Sequence, residues 1–207
     1  MPRYIAIEGP IGVGKTTLAG RLAKSLGAEL LLEAPQENPF LGPFYENPKA
    51  NALPAQLFFL LQRARQIDSL RQRDMFAGRW ITDFMFDKDP LFARLTLSGP
   101  ELALYQDIYD RLAWQAPVPD KVIYLYAPVS VLDARVDQRA RPEERAMQEG
   151  YLAQVAESYA GLFSHYRAAP LITVNAARMD LVNREEDYQR LLSVLDEPDR
   201  VIHLPAE

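Results

Sequence analysis

"IAIEGPIGVGKTTLAGRL", residues 5–22, runs from an apolar stretch through a glycine-rich turn to a lysine and two threonines, then into a helical pattern. Gly9, Gly14, Lys15 and Thr16 fit the spacing G-x-x-x-x-G-K-[ST] of a phosphate-binding loop. Across Gly9, Pro10, Ile11, Gly12, Val13 and Gly14 the backbone can turn so that N–H groups point inward at phosphate oxygens. Lys15 then spans the outer phosphates, and the hydroxyl of Thr16, with Thr17 beside it, is placed to ligate Mg2+. The context is the required one, because an apolar run precedes the loop and a helix begins near Lys15, its N-terminal dipole favouring a bound anion.

Outward from this stretch, short apolar runs alternate with longer amphipathic ones. Strands are expected at 3–8, 28–33, 79–84, 121–127 and 171–176, and helices at 15–26, 53–77, 99–115, 129–139, 143–168 and 184–195. Continuous apolar strands suit a parallel sheet covered on both faces. Their alternation with helices predicts an α/β fold, an open sheet of about five parallel strands with right-handed crossovers. The proline-rich segment 34–48, "APQENPFLGPFYENP", is the long non-periodic connection, and its three aromatic residues argue for a functional loop. The 207 residues suit one domain, 1–207.

Composition bounds the function. The net charge of −5, with basic residues scattered, offers no general attraction to nucleic acid or to an anionic membrane. No run approaches the roughly 18 apolar residues of a membrane span and nothing resembles a secretory signal, so a cytoplasmic protein is expected. There is no cysteine, which excludes disulfides and thiol catalysis, and two histidines, His165 and His203, leave little for a histidine metal site.

A phosphate loop alone serves hydrolysis, signalling or phosphoryl transfer. What separates these is the chemistry at the other strand ends, where ligands of open parallel sheets gather. The second strand is expected to end at Glu33, a carboxylate able to take a proton from an attacking hydroxyl. The third ends at Asp83, placed to hold Mg2+ directly or through water. Further on, "RVDQRARPEER" (135–145) carries Arg135, Arg139 and Arg141; the first two share a helix face, and Pro142 breaks the helix so that a lid over about 137–148 could close on a phosphoryl group. The bland alternative is a solvated face on which these arginines pair with Glu143 and Glu144.

These motifs, with "ENPFLGPFY" (37–45), "AQLFFLLQRARQ" (55–66) and "YLAQVAESYAGLF" (151–163) in this order and spacing, resemble the deoxyribonucleoside kinase family, especially its short bacterial deoxyguanosine and deoxyadenosine kinases. The resemblance spans nearly the whole chain and implies a P-loop kinase fold, ATP and Mg2+ as cofactors, a deoxyribonucleoside acceptor and a homodimer built through helices of the 53–115 region. It implies that Glu33 is the general base on the 5'-hydroxyl, that Tyr45 and Glu144 hold the sugar 3'-hydroxyl, and that Gln56 reads the base with Arg63 close by. Arg135, Arg139 and Arg141 then correspond to lid arginines over the donor phosphates and adenine. Gln56 and Arg63 are seven apart, two helical turns, and so share one face among Phe59 and Leu60.

One departure stands out. The family places an acid, an arginine and a serine or threonine after the third strand, whereas "TDFMFDKD" (82–89) has no arginine. The expectation is that Asp83 serves the metal one residue late and that Lys88 supplies the missing positive charge. Two rival functions stay open: a thymidylate-like kinase of nucleoside monophosphates, whose acceptor phosphate needs its own cations, and a nucleotide-gated binding module that phosphorylates no small molecule.

Overall fold

The computed structural model describes residues 2–72, 78–113, 116–198 and 201–205. Six parallel strands form one sheet: β1 (Tyr4–Glu8), β2 (Glu29–Leu31), β3 (Trp80–Thr82), β4 (Lys121–Tyr126), β5 (Leu171–Asn175) and β6 (Val201–Leu204). Their order is β2-β3-β1-β4-β5-β6, with β1 between β3 and β4 in registers Tyr4 to Trp80 and Ile5 to Lys121. The chain therefore leaves β1 for one side of the sheet and later returns to fill the other. That reversal places a crevice at the carboxyl end of β1, where the phosphate loop lies.

The side-chain alternation of β1 assigns its two faces. Ile5 and Ile7 pack with Leu18 and Leu22 of α1 (Lys15–Leu26) and with Leu191 of α8 (Glu185–Ser193). Tyr4 and Ala6 face the other way, into a cluster with Trp80, Tyr124, Tyr159 and Phe163, the last two from α7 (Tyr151–Ser164). Each large apolar side chain removed from water on these faces contributes about 1.5–3 kcal/mol. A third cluster forms where α2 (Leu41–Glu46), α3 (Pro48–Gln72) and α5 (Gly99–Ala113) meet around Leu60 and Tyr105.

The differences from the sequence reading have local causes. A sixth strand, β6, extends the expected five; its four residues are too short and too exposed for the periodicity to register. Helix α3 begins at Pro48 rather than 53 and runs through Pro54, which forgoes one backbone hydrogen bond there. Residues 73–77 of the expected 53–77 helix and residues 114 and 115 of the expected 99–115 helix lie outside the described residues. The connection 34–48 holds a 3-10 turn, Pro35–Glu37, and the short α2, while α4 (Asp89–Thr96) was not anticipated at all. The expected helix 143–168 is divided: a 3-10 turn, Pro142–Ala146, precedes α7, and Gly150 between them adopts φ 82. Before that turn, α6 (Val129–Arg139) closes on Ala140, with φ 50.

Candidate active site

Four chain segments converge on the carboxyl end of β1. The phosphate loop turns sharply at Gly9, with φ +148, where a Cβ would stand 2.2 Å from the carbonyl oxygen of Leu125. At Gly12, with φ +82, a Cβ would stand 2.9 Å from that of Leu132. Both glycines are thus required by backbone angle and by the closeness of neighbouring chain. Lys15 opens α1, and its Nζ donates to the carbonyls of Gly9 at 2.7 Å and Pro10 at 3.1 Å. Burial pushes the Lys15 ammonium down to about 8, helped by the like charge of Lys88 and opposed by Glu8, Glu33 and Asp83.

Asp83 follows β3 directly and joins two segments. Its Oδ2 accepts from the hydroxyl of Thr16 at 2.6 Å, and its Oδ1 accepts from the backbone N–H of Glu33 at 2.7 Å. A hydroxyl beside a carboxylate is a hard-oxygen pair of the kind Mg2+ prefers. Among the described residues no group of three or more His, Asp or Glu side chains could hold a metal ion by itself.

Glu33 lies two residues past the end of β2, not at the strand's last position. The short β2, partly exposed at the sheet edge, gives way to an irregular segment that turns the carboxylate toward the phosphate loop. Arg63 of α3 donates to Glu33 Oε1, and Lys88 Nζ lies 3.2 Å from Glu33 Oε2. Burial alone would raise the Glu33 carboxyl, yet Arg63, Lys88 and Lys15 outweigh it and hold it at about 2. Lys88, 2% exposed, also faces Glu8 Oε1 at 3.6 Å. Glu33 is thus flanked by a lysine from the turn after β3 and an arginine from α3.

A cavity of about 320 Å³ runs from the loop to α2 and α3. Gly9, Ile11, Gly12, Lys15, Thr16, Glu33, Asp83 and Lys88 line the end at the loop, Tyr45, Gln56 and Phe59 line the part toward α2 and α3, and Arg63 lies beside Glu33. Arg139 at the end of α6, Arg141 just before the 3-10 turn and Glu144 within it also border the cavity, with Arg139 donating to Glu144. Leu60 does not share this wall as expected; it is fully buried in the third core cluster, so the apolar face belongs to Phe59, Phe44 and Leu41. Val13, Gly14 and Thr17 line an adjoining cleft with Arg178 and Asn183, on the far side of the loop.

Arg135 stands apart from the other two arginines and lines the adjoining cleft beside Val13, Gly14 and Thr17. Its guanidinium donates to the carbonyls of Val13 at 3.2 Å and Ala176 at 2.8 Å, and it does not line the main cavity. One helical turn separates it from Arg139, but α6 passes beneath the phosphate loop at Arg135 and reaches the cavity only at its last turn. The sequence reading also missed Glu8, Asp89, Phe92, Tyr151 and Tyr159. Three of them, Phe92, Tyr151 and Tyr159, line the cavity.

Residues 5–198 match the family model described as deoxynucleoside kinase. The chain belongs to the deoxynucleoside kinase family. It is 33% identical over 199 residues to a deoxyguanosine kinase of Bacillus subtilis, covering 94% of this chain and 96% of that one. It is 27% identical over 209 residues to a deoxyadenosine/deoxycytidine kinase of the same organism, covering 96% and 93%. The fold agrees with that of a deoxyadenosine kinase from M. mycoides with bound dATP, at a TM-score of 0.80 and 24% identity over 92% of this chain and 97% of that one. As a deoxynucleoside kinase it is a phosphotransferase, with the P-loop kinase fold expected from its opening motif. Among the described residues no helix is long and apolar enough to cross a membrane.

Proposed function

We propose that this kinase transfers the γ-phosphoryl group of ATP, with Mg2+, to the 5'-hydroxyl of a purine deoxyribonucleoside. The observation that carries the reading is Glu33, an ionised carboxylate facing the phosphate loop in a cavity whose far end offers Gln56, Tyr45 and Phe59. Lys15 and the loop amides hold the donor phosphates, and the adjoining cleft beside Thr17 and Arg178 takes the donor's base. Thr16 and Asp83 would hold Mg2+, which when bound neutralises charge on the outer phosphates. Glu33 orients the acceptor hydroxyl and takes its proton, with Lys88 alongside to balance the charge that gathers there.

Tyr45 and Glu144 hold the sugar, and crowding around Tyr45, 7% exposed, disfavours an additional ribose hydroxyl. Arg139 and Arg141, carried by a lid at about 137–148 on a single kinase domain, close over the phosphates and exclude water. A purine acceptor is favoured because Arg63, whose buried Nε–H has no partner, lines the cavity together with Gln56 and offers a donor to a base edge. The deoxyguanosine kinase relative points the same way. Leu61 on α3 and Leu104 on α5, 44% and 49% exposed, support a homodimer through these helices. We place the enzyme in the cytoplasm, in nucleotide salvage.

The test is product analysis with Mg-ATP and each of the four deoxynucleosides, alongside their 5'-monophosphates. Deoxyguanosine or deoxyadenosine 5'-monophosphate is the expected leading product. Turnover of pyrimidine deoxynucleosides alone would overturn the purine assignment; phosphorylation of the monophosphates, or release of only ADP and phosphate, would overturn the acceptor assignment.

A further inference from the structure

Glu8 ends β1 immediately before the phosphate loop and is completely buried, with its side chain on the face of Tyr4 and Ala6 rather than that of α1. An isolated carboxylate there would be costly, so its company matters. Its Oε2 accepts from the N–H of Gly9 at 3.1 Å and the hydroxyl of Tyr159 at 2.9 Å; its Oε1 accepts from the N–H of Met85 at 2.7 Å and faces Lys88 Nζ at 3.6 Å. On the other side of Lys88, Nζ reaches Glu33 Oε2 at 3.2 Å. The ammonium is therefore suspended between two carboxylates, one that faces the cavity and one that does not.

A lysine is a compact charge on a flexible four-carbon stem, and its direction is set by what surrounds it. With Glu33 as its sole anion, Lys88 would be free to follow that carboxylate whenever Glu33 turned to an acceptor. Glu8 is itself fixed by two backbone N–H groups and a tyrosine, so it supplies a stationary anchor. We propose that Glu8 is a positioning residue for phosphoryl transfer, holding the Lys88 ammonium in place against Glu33; the proposal rests on Glu33 acting on the acceptor hydroxyl. Glu8 acts through Lys88, touching neither donor nor acceptor.

The test is a double-mutant cycle of Glu8→Gln and Lys88→Met, read as kcat and as KM for ATP and for the deoxynucleoside, with thermal melting of each variant. Gln preserves the shape and one acceptor oxygen while removing the charge. Glu8→Gln is expected to lower kcat about 10- to 100-fold, the range of groups that orient a directly acting residue, with KM for ATP unchanged. In the Lys88→Met background it should lower kcat no further and should raise the melting temperature, since a buried carboxylate without its counter-ion has been removed. Multiplying losses in kcat, wild-type turnover of Glu8→Gln, or an effect confined to KM for ATP would overturn the proposal; the last would mark Glu8 as a tether of the loop alone. If Glu8→Gln alone does not fold, Lys88→Met compared with the double variant still decides, a further fall in melting temperature counting against the pairing. Glu33→Gln is measured in parallel: full turnover there would refute the role of Glu33 itself, whereas its loss with an additive cycle refutes Glu8 alone.

Discussion

The guanidinium of Arg63 bridges two carboxylates, donating through Nη2 to Glu33 and through Nη1 to Asp89. Arg63 and Asp89 are 4% and 2% exposed, so helix α3 and the unanticipated α4 meet through a buried charge pair. Arg63→Met leaves Asp89 charged and alone. A loss of about 3–5 kcal/mol is expected in urea unfolding, and Arg63→Met combined with Asp89→Asn should recover much of it. Additive losses would show that the two residues do not stabilise one another.

Glu33 sets an acid dependence whose sign is fixed. Its folded-state carboxyl is held at about 2, below its ordinary 4.5, so its contribution to stability is complete above the ordinary value and lost as pH falls through about 2. Glu33→Gln should therefore unfold along a shallower acid limb than the wild type over that window, as followed by circular dichroism. At neutral pH the same variant should lose kcat by roughly 10²–10⁴, the contribution of a positioned general base.

Asp83 spends both oxygens within the protein, on Thr16 and on the Glu33 backbone. Asp83→Asn keeps one acceptor and turns an amide N–H donor toward the other partner. The Mg2+ concentration for half-maximal turnover at fixed ATP is expected to rise. An unchanged requirement removes Asp83 from the metal site.

Two glycines of the loop should respond differently to the same change. Gly9→Ala drives a Cβ to 2.2 Å from the Leu125 carbonyl at φ +148, and backbone must move. Gly14→Ala, at φ +105, meets nothing within 4 Å and bears backbone strain of about 1–3 kcal/mol. Gly9→Ala should thus have the lower melting temperature, and equal melting temperatures would contradict the close approach.

How much of this was legible depended on where each signal lies along the chain. The phosphate loop was readable because strand, turn, lysine and helix are contiguous, and Gln56 with Arg63 because a helix turns residues seven apart to one side. Glu8 was not, since a single acid closing an apolar run reads as the end of a strand. Asp89 was hidden by the proline after it, which punctuates the sequence like a turn yet occupies the first turn of α4. Lys88 was chosen as the nearest cation to a missing arginine, and the structure brings it to Glu33. Periodicity relates Arg135 correctly to Arg139, but says nothing of which other segment covers that stretch of helix, nor that Arg135 lines the adjoining cleft and Arg139 the main cavity.

That covering stretch bears on leverage. Because Arg135 grips the carbonyls of Val13 and Ala176, the body of α6 is fastened to the floor of the phosphate loop and to the end of β5. The clamp holds the helix as far as Arg135; only its last turn, which carries Arg139, and then Ala140 with its left-handed φ of 50 extend past it.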